Sequence, residues 1–284
     1  MKNIIYYFSG TGNSLRTAIG IAERIGGAEI ISVRCDVENV SAETAEVIGF
    51  VCPVYEWDMP GTMKRFVANL KINPNAYIFM VVTYVAIHGK SFETMEKLLS
   101  AKKAHLNYGF ALHCVASQCT AYAPFPPEKL MIPYMEKKID KIGKEISEKK
   151  NRAYPHMAWL TRKLYSKLMT PYMEVEQEYD KGFYTDERCV ECGICAKICP
   201  TQNITIQKKH PVWNHKCHGC MACVAYCPTK AIQFKTPEAY EKLNTAISKR
   251  LCLPEKRKRY HNPFIIATDL MIDKQYIESK FDMR

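Results

Sequence analysis

Asn3-Ile4-Ile5-Tyr6-Tyr7-Phe8-Ser9-Gly10-Thr11-Gly12-Asn13-Ser14 is an apolar run that breaks into a small, hydroxyl- and glycine-rich turn. Directly behind it, Leu15, Ala18, Ile19, Ala22 and Ile25 recur at helical spacing. The stretch reads as strand, tight loop, helix. Successive backbone N–H groups at such a helix start form a nest for an anion. Ser9, Thr11 and Ser14 add hydroxyl donors, and Gly10 and Gly12 let the backbone close around a phosphate. No lysine follows the glycine turn, which argues against a P-loop triphosphatase. Leu15 stands where a G-x-G-x-x-G dinucleotide fingerprint has its third glycine.

The same alternation continues outward. Apolar strand patterns at 29–33, 47–52, 77–83 and 108–116 join the one at 3–8, and helical patterns cover 12–25, 61–70, 91–102 and 128–149. Five strands alternating with helices imply an α/β fold, a parallel sheet covered on both faces. Its ligand site belongs at the carboxyl ends of the strands. There the loop 52–60 carries Pro53, Tyr55 and Trp57, whose rings offer flat surfaces for an isoalloxazine. The loop 83–89 adds Thr83 and Tyr84, followed by Val85, Ala86, Ile87 and His88.

Eight of the thirteen cysteines fall between Cys189 and Cys227. Cys189, Cys192, Cys195 and Cys199 with Pro200 spell C-x2-C-x2-C-x3-C-P, and Cys217, Cys220, Cys223 and Cys227 with Pro228 repeat it. The two copies align at an offset of 28, which also pairs Thr201 with Thr229 and Ile204 with Ile232. Three cysteines at two-residue gaps can wrap one cubane; the fourth lies too far on and ligates the other cluster in two-cluster ferredoxins. One set is therefore Cys189, Cys192, Cys195 and Cys227; the other is Cys217, Cys220, Cys223 and Cys199. Gly193 and Gly219 permit close backbone approach to inorganic sulfur. Zinc sites usually present CxxC pairs across a longer loop, which fits this repeat poorly. Cys35, Cys52, Cys114, Cys119 and Cys252 are scattered, and an odd total without an export signal argues for metal ligation over disulfides.

The chain has 284 residues, 47% hydrophobic and 24% charged, with a formal charge of +11. Eight cysteinates would remove about eight charges and two oxidised cluster cores would return about four. An FMN phosphate would subtract about two more. The loaded protein is then mildly basic, and no nucleic-acid motif accompanies the charge. The apolar start lacks a signal-peptide core and no stretch reaches membrane-span length, so a cytoplasmic protein with no membrane span is expected.

Residues 9–14 resemble the FMN-phosphate loop of flavodoxins, and the loops 52–60 and 83–89 resemble those that hold the flavin ring. The cysteine repeat resembles a bacterial two-cluster ferredoxin. In this order the chain is similar to the flavodoxin–ferredoxin fusion proteins of anaerobes, the EFR-type ferrodoxins, over residues 1–125 and 183–236. One departure is the run 85–88, where flavodoxins are often rich in glycine. The resemblance implies a flavodoxin-like, doubly wound five-stranded parallel sheet of order 2-1-3-4-5, with a small α+β ferredoxin domain. Its divisions are 1–150 for the FMN-binding domain, 151–182 for a helical connector, 183–236 for the ferredoxin domain and 237–284 for a basic, helical C-terminal tail. The apolar side of the connector (Trp159, Leu160, Leu164, Tyr165, Leu168, Met169, Tyr172) is expected to pack on the FMN domain.

The cofactors implied are FMN, held by Ser9, Gly10, Thr11, Gly12, Asn13, Ser14, Pro53, Tyr55, Trp57, Thr83 and Tyr84, and two [4Fe–4S] clusters. The function implied is electron transfer between them, serving redox partner proteins or a small-molecule acceptor. A flat, exposed flavin edge would favour a carrier. A pocket beside the flavin would favour a reductase, with His88, Tyr55 and Tyr84 as substrate contacts. A redox- or iron-responsive regulator acting through the tail is the third reading.

Overall fold

The computed structural model describes residues 2–34 and 40–278. Cys35, residues 279–284 of the tail, and the side chains of Trp159, Leu160 and Tyr165 lie outside the described residues.

The first half builds a central sheet from β1 (Asn3–Tyr7), β2 (Gly27–Ser32), β3 (Val47–Pro53), β4 (Tyr77–Tyr84) and β5 (Tyr108–His113). Between them run α1 (Asn13–Arg24), α2 (Gly61–Asn69) and α3 (Ser91–Ser100), with α4 (Glu128–Ser147) after the last. Side chains alternate across each strand, and β1 shows both faces buried. Ile5 and Tyr7 join the core under α1 and α4; Ile4, Tyr6 and Phe8 join the core under α2 and α3. Neighbouring strands are parallel, in the spatial order β2-β1-β3-β4-β5.

After the connector helix α5 (Trp159–Glu174) come two short antiparallel strand pairs and two four-residue helices. They are β6 (Phe183–Thr185), α6 (Ile194–Lys197), β7 (Ile204–Gln207), β8 (His210–Trp213), α7 (Ala222–Ala225) and β9 (Ile232–Phe234), with β7 pairing β8 and β6 pairing β9. This small module packs on the sheet domain: Ile198, Ala222 and Tyr226 belong to the α1-side core.

Two expectations differ from the structure. Among the described side chains of the connector, Leu164 (71% exposed) and Leu168 (53% exposed) are not laid on the sheet domain. The connector is instead anchored near its end, where buried Tyr172 packs with Tyr179 and Tyr240 in the core of the small module. The expected helical character of the tail is met only in short pieces among the described residues. Pro237, Pro254 and Pro263 interrupt it, and its helices are the short stretches Glu238–Lys242 and Ala267–Leu270. Its last described residues form β10 (Lys274–Glu278), which pairs antiparallel with β2 and gives the sheet a sixth strand. The free edge of β2 offers unpaired N–H and C=O groups, and β10 satisfies them. Among the described residues no helix is long and apolar enough to cross a membrane.

Candidate cofactor site

The turn 9–14 sits at the carboxyl end of β1. Gly12 takes φ +95°, Gly12 N–H donates to Ser9 Oγ (3.2 Å), and Arg16 N–H donates back to Gly12 O (2.9 Å). Ser14 and Thr83 share a hydroxyl hydrogen bond of 2.8 Å, tying the turn to the end of β4. Among the described residues the N–H groups of Thr11, Asn13 and Ser14 meet no protein acceptor, as a first helical turn leaves them. They lie in a buried loop with no acidic residue in the turn that follows. Orphaned donors and a bare helix start fit a phosphate.

A cavity of about 440 Å³ opens above this turn. Ser9, Gly10, Thr11, Asn13, Ser14, Pro53, Tyr55, Trp57, Thr83 and Tyr84 all line it, together with Val85, Ala86 and Ile87. The size suits a drug-sized or cofactor-sized molecule. Gly12 faces the other way and lines no part of it. His88 is also outside the lining; its ring packs edge-on against Tyr84 and Phe92 (6.0 and 5.9 Å), and burial lowers its pKa.

The aromatic loop is a tight two-residue hairpin. Tyr55 N–H donates to Asp58 O (2.9 Å) and Asp58 N–H to Tyr55 O (3.0 Å), while Glu56 and Trp57 take φ of +46° and +75°. Lys90 N–H caps Trp57 O at 2.7 Å. A Cβ on Gly89 would stand 1.8 Å from Trp57 O, so that glycine is what lets the two ring loops meet. The loop's glycine, absent from the run 85–88, stands one residue later.

The far wall comes from outside the sheet domain. Tyr172, Glu176 and Tyr179 contribute from the connector and the turn after it, His218 and Gly219 from the second cysteine motif, and Tyr240 and Leu251 from the tail. His218 Nδ1 lies 3.0 Å from Glu176 Oε1 and its Nε2 3.0 Å from Thr62 Oγ1, which pins the cysteine loop to the start of α2. Burial, then the neighbouring Glu176, pushes the Glu56 carboxyl up to about 8.

The eight cysteines separate into two groups. Cys189, Cys192, Cys195 and Cys227 line one small cavity of about 30 Å³. Burial, helped by the charges of Cys192, Cys227 and Cys189, pushes the Cys195 thiol up to about 11. Cys199, Cys217, Cys220 and Cys223 form the second group: burial raises the Cys217, Cys220 and Cys223 thiols, and the charge of Cys199 acts on each of these three. Thiols held this way resist ionising alone; iron supplies the compensating charge. Backbone donors already face the sulfurs, from Asn203 to Cys199, Ala231 to Cys227 and Gly219 to Cys217, each at 3.3 Å. Among the described residues no three His, Cys, Asp or Glu side chains converge as one metal ion demands. The donor chemistry, all thiol and spread around hollows, fits a polynuclear cluster.

Asp180 is a support that the sequence did not reveal. Its buried carboxylate accepts from Asn203 Nδ2 (2.8 Å) and His215 N–H (2.9 Å), with His215 Nδ1 at 2.8 Å. It thereby joins the stretch after Cys199 to the stretch before Cys217.

The second group touches the flavodoxin-like turn directly. A Cβ on Gly10 would lie 2.3 Å from Cys220 O and 3.0 Å from the Tyr55 hydroxyl. The charges of Cys220 and Cys217 also act on half-buried Tyr55.

Comparison with known proteins divides the chain the same way. A model described as a flavodoxin domain matches residues 4–111, and one described as a 4Fe-4S dicluster domain matches residues 188–232. Among solved structures, the Fusobacterium nucleatum flavodoxin bound to flavin mononucleotide is 13% identical, with 53% of this chain and 100% of that chain covered and a TM-score of 0.38. The two-electron reduced Megasphaera elsdenii flavodoxin is 16% identical over 51% of this chain and 98% of its own, with a TM-score of 0.34. A structure titled flavone reductase is 13% identical over 78% of this chain and 86% of its own, at 0.36. No curated protein matches the chain. The family models support FMN and [4Fe–4S] as the cofactors and electron transfer as the general role. With both domains in one polypeptide, the chain is a flavodoxin–ferredoxin fusion.

Proposed function

We propose that this iron–sulfur flavoprotein carries two [4Fe–4S] clusters and one FMN, and passes electrons between them. FMN is held with its phosphate at Ser9, Gly10, Thr11, Asn13 and Ser14, in a turn whose bend Gly12 supplies, and its ring among Pro53, Tyr55, Trp57, Thr83 and Tyr84. The outer cluster is held by Cys189, Cys192, Cys195 and Cys227, the inner one by Cys199, Cys217, Cys220 and Cys223. When bound, clusters exchange single electrons and a flavin takes one or two, so the chain can merge or split electron pairs.

The observation that carries this reading is the contact of Gly10 with the Cys220 carbonyl, which sets the inner ligand loop against the flavin loop. The outer set faces outward at exposed Cys192, where a redox partner protein would dock. Anaerobic purification with metal, sulfide and flavin quantified per chain tests it. About eight irons, eight sulfides and one FMN are expected; zinc in place of iron, or a chain without flavin affinity, would remove the corresponding half.

A reductase reading is supported by one feature. The cavity is roofed by Tyr122 and Phe125 and by Met169, Tyr172 and Tyr240, so a flavin there does not lie on an open flat surface. On this reading Tyr55 and Tyr84 contact a small-molecule acceptor, while His88 lies off the lining. Turnover of an added acceptor by loaded protein, with electrons from an external one-electron donor, separates it from a pure carrier.

A further inference from the structure

The tail segment 260–265 lies about 150 residues beyond the end of the matched flavodoxin domain, yet it grips the phosphate turn. Tyr260, fully buried, donates its hydroxyl to Asn13 Oδ1 at 2.6 Å. Asn262, also fully buried, donates from Nδ2 to the same oxygen at 3.2 Å. Its backbone N–H donates to Thr11 O at 2.8 Å. Asn13 Nδ2 is spent on Val115 O at 3.2 Å, so every polar atom of that side chain is fixed from outside the turn. Gly12 is enclosed by the same segment: a Cβ there would meet Ile265 Cβ and the Tyr226 hydroxyl at 2.9 Å and Asn262 Cβ at 3.1 Å.

A phosphate nest works only if its N–H groups already converge, because each freed dihedral must otherwise be ordered on binding. Here two of the turn's residues, Thr11 and Asn13, are held by the tail, and a third, Gly12, is walled in by it. Tyr226 stands between the ligands Cys223 and Cys227, and its hydroxyl reaches Ile265 O at 3.4 Å. The clamp is therefore braced by the iron–sulfur module as well.

We propose that Tyr260 and Asn262 are positioning residues of the flavin site: the tail sets the shape of the phosphate turn, and the affinity for FMN depends on it. This rests on the flavin reading above. The clamp's hydrogen bonds to Asn13 and Thr11 all go to the phosphate turn, while the Tyr260 ring packs with Cys114, Val115 and Met135; the effect on the phosphate end is therefore read against riboflavin, which lacks the phosphate.

The test uses the full chain, loaded with iron without oxygen, as wild type, Tyr260→Phe and Asn262→Ala. Dissociation constants for FMN and for riboflavin are measured by flavin fluorescence, with iron content read in parallel. Each variant is expected to weaken FMN about tenfold, the effect of a buried acceptor losing a partner, with riboflavin binding and iron content unchanged. Unchanged FMN affinity, or equal losses for FMN and riboflavin, would overturn the inference. Should Asn262→Ala lose iron, Tyr260→Phe decides by the same criteria, since it removes a single oxygen. A wild-type chain that takes up iron but no flavin overturns the flavin reading and this inference with it.

Discussion

The two halves of the cysteine repeat share a backbone and differ in their surroundings. At an offset of 28, Glu191 (φ +58°) matches Gly219 (φ +58°), and Gly193 (φ +70°) matches Met221 (φ +61°). Gln202 and Lys230, at φ +50° and +56°, match as well. Each ligand loop therefore needs two left-handed residues, and each half makes a different one of them glycine. The two loops share one backbone shape, and the side chains differ around it. Around that common shape, the first loop meets open space beyond Gly193, while Gly219 packs over the Tyr179 ring and Cys220 abuts Gly10. The same motif thus yields an outward-facing site and an inward one, and the difference is made by what packs against each.

Replacing one cysteine in each half gives the largest contrast. Cys192→Ser should remove the outer cluster, about half the iron, and leave FMN binding within about twofold. Cys220→Ser should remove the inner cluster and stop electrons from reaching the flavin. Iron per chain and flavin bleaching under a one-electron reductant read both; equal behaviour of the two variants would erase the inner–outer distinction.

Next come the glycines. Gly10→Ala drives a methyl into the Cys220 carbonyl and should cost about 1–3 kcal/mol, with a matching loss of FMN affinity. Gly193→Ala meets nothing within 4 Å and should cost only about 1 kcal/mol, the penalty of its positive φ. Thermal denaturation and flavin titration check the pair.

One pH effect belongs to the inner side. Burial disfavours ionised Glu56, whose carboxyl rises from 4.5 to about 8 beside Glu176. The folded chain then keeps a proton that the unfolded chain releases, so stability is fullest below about pH 4.5 and falls as pH rises through 8. The two carboxyls titrate as a pair. Glu56→Gln should flatten the decline in melting temperature across that window; an unchanged slope would place the proton elsewhere.

The smallest expected effect is a gain. Exposed Glu191 takes a left-handed backbone for one surface ion pair with Lys209 (3.4 Å), which is worth little, so Glu191→Gly should stabilise the apoprotein by up to roughly 0.5 kcal/mol. Met221→Gly, in the matching place of the buried half, should destabilise, because Met221 fills the module's core. Denaturant titration of the two variants distinguishes them by sign.

The parts legible in the sequence are those written in contiguous residues. The turn 9–14 and the two cysteine motifs declare their chemistry through spacing alone, and all predicted flavin residues except Gly12 line one cavity. What escaped notice acts at a distance. Tyr260 and Asn262 meet Asn13 across 247 and 249 residues, and neither carries a local pattern that marks it. Asp180 and His215 sit outside both motifs. Lys274–Glu278 alternates weakly and is half exposed, as an edge strand is, so a charged tail reads more easily as a solvated helix. Leu164 and Leu168 kept helical spacing, but spacing does not say which neighbour receives the face.

Rapid mixing of the loaded, oxygen-free protein with a one-electron reductant tests the central claim most directly. With the outer cysteines facing the solvent and the inner ones against the flavin loop, cluster absorbance should bleach first and the flavin follow. The flavin phase should vanish in Cys220→Ser. Flavin reduction that precedes the clusters, or that proceeds at the same rate in that variant, would contradict an electron path running through the inner half of the repeat.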